Sequence, residues 1–179
     1  YFPVVIGQQD HVEVKGIVGD LKDYLVISGE SDIEKIKKGG KRKLGIVSQT
    51  TLQVEKVEHL VSKIRAKNYV DEVCFVNTIC QPTRDRQIAV RDLAEQVDVM
   101  IVVGGYNSSN TKKLVQVCDE KNIQAHHIES FSQLKKDWFY EKTHVGITAG
   151  TSTPEHVIDE AHKAILKIAK EIDSKPAVH

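Results

Sequence analysis

Short runs of β-branched, apolar residues recur along the whole chain, each followed by a segment whose apolar positions have helical spacing. This alternation dictates βαβ units and parallel strands, because strands apolar on both faces must be covered by helices on both sides. Strands are expected at about Val4–Gly7, Tyr24–Ile27, Leu44–Ser48, Glu72–Val76, Val99–Val103, Ala125–Ile128 and His144–Thr148. Helices are expected at about His11–Asp20, Ile33–Lys37, Leu52–Lys67, Arg84–Gln96, Thr111–Asn122, Ser132–Trp138 and Pro154–Ile172. In the third of these, Val54, Val57, Val61 and Ile64 line one face with charges between them. The fold class is α/β, with two similar small lobes, each a parallel sheet flanked by helices, and a long C-terminal helix. The joint is placed near Asn77, giving lobes at 1–76 and 77–153 and a C-terminal helix and tail at 154–179.

At 179 residues the chain can bury roughly 70% of its extended surface, so the core needs neither disulfide nor metal. Lys plus Arg and Asp plus Glu each number 25, and a net charge of zero removes the electrostatic argument for a nucleic-acid or membrane-surface protein. The densest basic run, from Lys35 to Lys43, carries two glycines and no aromatic residue and reads as a solvated loop. The longest apolar run, Val99 to Val103, is far short of the ~18–20 residues that cross a bilayer. No secretory signal opens the sequence, and three cysteines fit a reducing, cytoplasmic setting better than a disulfide framework. The chain begins inside an apolar strand-like run with no initiator Met, so it is expected to be a piece of something longer.

The joints between strand and helix hold the chemistry. Five are polar in the same way: Gly7 to Glu13, Ser48 to Thr51, Asn77 to Thr83, Gly104 to Thr111, and Ala149 to Glu155. In open parallel sheets such carboxyl-end joints face one side, where ligands bind, and each opens a helix whose free N–H groups favour an anion. Ser, Thr and Asn before a helix are also ordinary caps, and Thr153-Pro154 reads as a cap followed by Pro at the first helical position. Asn107-Ser108-Ser109-Asn110-Thr111 exceeds what capping needs. Five consecutive polar residues after Gly104-Gly105 suit a diphosphate or similar anion. The segment is neither a Walker loop nor a dinucleotide fingerprint.

His11 and Glu13 stand two apart at a strand-to-helix joint, where His can pair with an anion and Glu can deliver a proton; a first-turn surface pair is the plainer meaning. Thr50 offers a hydroxyl beside such a Glu, and a cap role explains it equally well. Cys74, in Val73-Cys74-Phe75-Val76, is expected to be a buried small apolar residue, and Cys118 to pack within its helix. Cys80 lies in a loop at a strand's carboxyl end, near a helix start and Arg84 and Arg86, which leaves a free thiol and a metal ligand equally open.

Taken together, the loops are more specific than any one of them. Gly7-x3-His11-x-Glu13-Val14-x-Gly16, Gln49-Thr50-Thr51-Leu52, Asn77-Thr78-Ile79-Cys80-x2-Thr83-x2-Arg86-Gln87, Gly104-Gly105-x-Asn107-Ser108-Ser109-Asn110-Thr111 and Gly146-Ile147-Thr148-Ala149-Gly150-x-Ser152-Thr153-Pro154-Glu155 follow in this order. The series resembles the 4-hydroxy-3-methylbut-2-enyl diphosphate reductase family, also called LytB, over nearly the whole chain. The resemblance implies a three-lobed, trefoil-like architecture of which the chain covers the second and third lobes and the C-terminal helix.

It further implies a reductive dehydroxylation that converts the allylic diphosphate to isopentenyl and dimethylallyl diphosphates, the last step of non-mevalonate isoprenoid synthesis. The implied cofactor is a [4Fe-4S] cluster, the implied electron donor a ferredoxin or flavodoxin, and the setting the cytoplasm or a plastid. Carried over by position, Cys80 is the third cluster cysteine, Glu13 the proton-delivering acid and Thr50 the hydroxyl beside it. His11, Ser108, Asn110 and Ser152 hold the diphosphate, with Ser109 adding to that shell. The family's other cluster cysteines lie upstream of what matches here, and Cys74 and Cys118 stand in the wrong contexts to replace them. The chain alone is therefore expected to be an inactive fragment. Two other readings are a non-catalytic diphosphate-binding module and one part of a split protein, whose strand Tyr1–Gly7 and C-terminal helix flank would be apolar surface.

Overall fold

The computed structural model describes residues 1–174. Among these, seven strands and six α-helices follow one another as β1 (Phe2–Ile6), α1 (Val12–Val18), β2 (Leu25–Ile27), α2 (Glu34–Lys38), β3 (Lys43–Ser48), α3 (Val54–Arg65), β4 (Glu72–Phe75), α4 (Gln81–Ala94), β5 (Val99–Val103), α5 (Ser109–Glu120), β6 (Ala125–Ile128), β7 (Val145–Ala149) and α6 (Glu155–Asp173). The contacts divide the chain into two units, Tyr1–Arg84 and the part from Asp85 onward. That division lies inside α4, further along than the joint expected after residue 76, and the expected tail at 175–179 lies outside the described residues.

The first unit is built on a four-stranded parallel sheet in the order β2-β1-β3-β4. One face buries Val4, Ile6, Ile27, Leu44 and Ile46 against Val57, Leu60, Val61 and Ile64 of α3. Those four helix residues are spaced to share one stripe, and each fully buried aliphatic side chain contributes roughly 1.5–3 kcal/mol relative to exposure. The other face packs Val5 and Val26 against Val14 of α1.

The second unit holds a three-stranded parallel sheet in the order β6-β5-β7. All five residues of β5 are fully buried, as a central strand covered on both faces must be. Val99, Ile101 and Val103 face Ala161 and Ile165 of α6, while Met100 and Val102 face Val90 of α4 and Leu114 and Val117 of α5. The C-terminal helix thus belongs to the core of this unit.

Four local expectations change. Ser132–Trp138 is two single 3-10 turns, Phe131–Gln133 and Lys136–Trp138, because Leu134 and Lys135 between them are extended. Cys74 is exposed rather than buried: alternation along β4 turns Val73 and Phe75 to the core and Cys74 to the opposite side. The split-protein reading has Tyr1–Gly7 as exposed apolar surface, but β1 runs between β2 and β3 with Val4, Val5 and Ile6 buried. Thr153 does not cap α6; Pro154 occupies the cap position, and the Thr153 hydroxyl donates to the Val103 carbonyl at 3.1 Å.

Candidate functional site

Each sheet has a topological switch point, where the chain leaves a central strand in one direction and returns on its other side. In the first unit the switch lies between β1 and β3, because β2 is added outside β1 before the chain crosses to β3. In the second it lies between β5 and β7, because β6 is added on the other flank first. In open parallel sheets the carboxyl ends of the strands at such a point are where ligands bind. Of the sequence-selected residues, His11, Glu13 and Thr50 follow the first pair and Ser108, Ser109, Asn110 and Ser152 the second, while Cys80 follows the edge strand β4.

At the first switch point, His11 caps α1, its Nδ1 accepting the Glu13 N–H at 3.2 Å, which leaves Nε2 as the donor side of the ring. The Glu13 carboxylate in turn accepts the Thr50 N–H at 2.7 Å, joining the loop after β1 to the loop after β3. Thr50 is not a helix cap, since α3 begins four residues later with Gln53 in the cap position. The Thr50 carbonyl accepts the Cys80 N–H at 3.4 Å, so Glu13, Thr50 and Cys80 share one backbone junction. Cys80 immediately precedes α4, its carbonyl accepts the Thr83 and Arg84 N–H groups, and its sulfur lies 2.9 Å from the buried Thr83 hydroxyl. The thiol itself is exposed.

Two further residues brace this junction and were not singled out from sequence. Gln49, 1% exposed, accepts the Gln8 N–H at 3.2 Å and donates to the Thr51 hydroxyl at 3.0 Å, bridging the same two loops. Thr78 accepts the Ser48 N–H at 2.9 Å and returns its own proton to the Ser48 carbonyl, which joins the loop after β4 to the end of β3. A buried Gln and a Thr carry no sequence signal beyond polarity; only the fold shows that they cross-link loops.

At the second switch point, Ser108 caps α5 by accepting the Thr111 N–H at 3.2 Å. Ser109 and Asn110 form the first turn. Asn110 is only 4% exposed, and neither atom of its amide has a hydrogen-bond partner among the described residues. Thr111, fully buried, leaves its hydroxyl similarly unpaired. Buried polar atoms without partners are costly and rare, so their concentration at one helix N-terminus marks a place built for a polar guest.

Ser152 lies exposed on the neighbouring loop after β7. That loop is tied to β5 by the Gly150 N–H and the Thr153 hydroxyl, both donating to the Val103 carbonyl. Gly104 takes φ of +154°, and a methyl group on it would lie 2.5 Å from the Thr111 hydroxyl; one on Gly150 would collide with the same atom. Both loops approach Thr111 too closely for any side chain.

The three thiols differ in chemistry. Cys118 is buried within α5, and burial pushes its thiol up to about 11, leaving it inert as a ligand. Cys74 and Cys80 are exposed. Among the described residues no three His, Cys, Asp or Glu side chains lie close enough together to hold a metal ion. No described helix is long and apolar enough to cross a membrane.

Comparison with known proteins agrees with the family resemblance. The family described as LytB protein matches residues 1–166. The 4-hydroxy-3-methylbut-2-enyl diphosphate reductase of Geotalea daltonii is 45% identical over 173 residues, 96% of this chain and 60% of that protein. Its counterpart in Geobacter sulfurreducens is 39% identical over 175 residues, 98% of this chain and 60% of that protein. The chain therefore spans about three-fifths of the length of these curated relatives.

Among solved structures, the E-1-hydroxy-2-methyl-but-2-enyl-4-diphosphate reductase of Plasmodium falciparum superposes with a TM-score of 0.82 at 28% identity, covering 98% of this chain and 54% of that one. A second structure, of (E)-4-hydroxy-3-methyl-but-2-enyl diphosphate reductase, is 38% identical with a TM-score of 0.55, covering 93% of this chain and 59% of that one. With the family match spanning almost all described residues, the chain belongs to the LytB family.

Proposed function

We propose that this chain supplies the diphosphate cradle, the proton-delivering acid and one cluster cysteine of a 4-hydroxy-3-methylbut-2-enyl diphosphate reductase. The observation that carries the reading is the buried, unpaired Asn110 amide beside Ser108 at the start of α5, on the β5/β7 switch point. Its Nδ2 can donate to a phosphate oxygen at the start of the helix, where the helix dipole adds its attraction. Ser109 and Ser152 extend the same shell, and in the first unit His11 is the residue that pairs with an anion, through its Nε2 side. Glu13 is the acid, its Oε1 held by the Thr50 N–H so that the remaining oxygen is the one that carries a proton. The Thr50 hydroxyl, not needed as a cap, is left to orient the substrate.

The family's cofactor, an iron–sulfur cluster, does not find a complete seat on these residues. Cubane clusters are held by several thiolates. Here Cys80 alone lies at the junction, Cys118 is sealed in its helix, and Cys74 stands out from β4. Cys80 is therefore one ligand, the others are supplied by another part of the protein or by a partner chain, and the isolated chain binds diphosphate without turning over. Calorimetric titration of inorganic diphosphate into the chain tests the cradle. Binding is expected, weakened about tenfold or more by Asn110→Ala. A wild-type chain that gives no heat with diphosphate overturns the reading.

A further inference from the structure

The loop that leads into the cradle is poorly suited to hold its own shape. Gly104 and Gly105 bring no side chains, and glycine pairs leave a backbone many conformations to lose. The ties come from the edge strand β6 and the residue after it. The Glu129 carboxylate accepts the Tyr106 N–H at 2.6 Å. His127 Nε2 lies 2.8 Å from the Gly104 carbonyl, to which it donates, and the Tyr106 hydroxyl donates to the His127 carbonyl at 3.4 Å, with the two rings meeting edge to face.

Glu129 is itself fixed. Its N–H donates to the Gln133 side chain at 2.6 Å, and Gln133 closes a capping box with Ser130. One turn beyond the clamp, the Ser108 N–H donates to the Gly105 carbonyl at 2.9 Å, so the position of Tyr106 is passed directly to the helix cap.

We propose that Glu129 is a positioning residue for the anion cradle. By accepting the Tyr106 N–H it presets the Gly104–Ser108 loop in the form that receives diphosphate, with His127 as a second tie. This rests on the diphosphate reading above. Glu129 touches no ligand in this role; it lowers the ordering cost that binding would otherwise carry.

Two readouts on the chain test it: amide hydrogen exchange at Tyr106, and the affinity for inorganic diphosphate, with Tm followed alongside. Glu129→Ala is expected to accelerate Tyr106 exchange about tenfold and to weaken diphosphate roughly five- to tenfold, with Tm within about 2 °C of wild type. Glu129→Gln keeps an oxygen that can accept the same bond, and the lost charge is exposed and screened, so it should restore both readouts. If Glu129→Ala leaves affinity unchanged while Asn110→Ala weakens it, the cradle stands and the clamp is overturned. If Gln fails to rescue, the carboxylate acts otherwise than as an acceptor and the clamp is again overturned. If the wild-type chain does not bind diphosphate, the cradle fails and takes the clamp's purpose with it.

Discussion

The carboxylate of Glu13 accepts a hydrogen bond from the backbone N–H of Thr50 at 2.7 Å, and through that bond two residues 37 positions apart in sequence share one corner of the first sheet. The corner exists because β1 and β3 are adjacent in the sheet, which brings the loops that follow them within hydrogen-bond reach. Glu13→Ala should cost about 1 kcal/mol in urea unfolding, because the Thr50 N–H loses its acceptor. Glu13→Gln keeps an acceptor and should stay within about 0.5 kcal/mol of wild type, and Thr50→Val should do the same because it leaves the backbone bond intact. Equal losses for all three would mean that the corner is held by something other than this bond.

Thr111 is the wedge on which both cradle loops close. Gly104→Ala and Gly150→Ala each drive a methyl group into its hydroxyl, and both should lower stability by about 1–3 kcal/mol and abolish diphosphate binding. Thr111→Ala should rescue Gly150→Ala in part, measured by Tm, because it empties the space the new methyl needs. Gly104→Ala should be rescued less, since its φ of +154° strains any side chain regardless of room.

Asp98 sets the acid limit of the second unit. Its carboxylate accepts the His144 N–H, the Thr143 N–H and the Thr143 hydroxyl, which together lower its pKa to about 2. A carboxyl group lower in the folded state than in the unfolded chain stabilises above the unfolded value of 3.8, and that contribution fades as pH falls toward 2. Tm should therefore drop across that window. Asp98→Asn should have a lower Tm at pH 7 and a flatter acid profile; an unchanged profile would remove Asp98 from the account.

Thiol labelling separates the cysteines. Two thiols, Cys74 and Cys80, should react with an aromatic disulfide reagent in the native chain, and Cys118 only on unfolding. Rapid labelling of a third native thiol would contradict the burial of Cys118.

The sheets and principal helices were legible because their signals are periodic. Continuous apolar strands such as Val99–Val103 can only be covered on both faces, and the stripe on α3 repeats along the whole helix. Periodicity misleads where the backbone bends: Phe131, Leu134 and Trp138 have helical spacing, yet Leu134 is extended and the segment folds as separate turns that still deliver Leu134 and Trp138 to the core. Cys74 was misjudged by its neighbours, since alternation on a strand separates adjacent residues.

At the candidate site, residue types and order could be read, because caps, hydroxyls and glycines at strand ends are local. Burial could not. That Asn110 and Gln49 are sealed from water, and that Glu129 reaches back across to Tyr106, depends on which strands become neighbours.

The most direct measurement is iron and acid-labile sulfide per chain after anaerobic reconstitution, with the thiolate-to-iron absorption followed in parallel. With Cys80 as the single thiol at the junction, the isolated chain should hold no stable stoichiometric cluster while still binding diphosphate. A stable cluster of four irons and four sulfides per chain, lost on Cys80→Ser, would contradict that account.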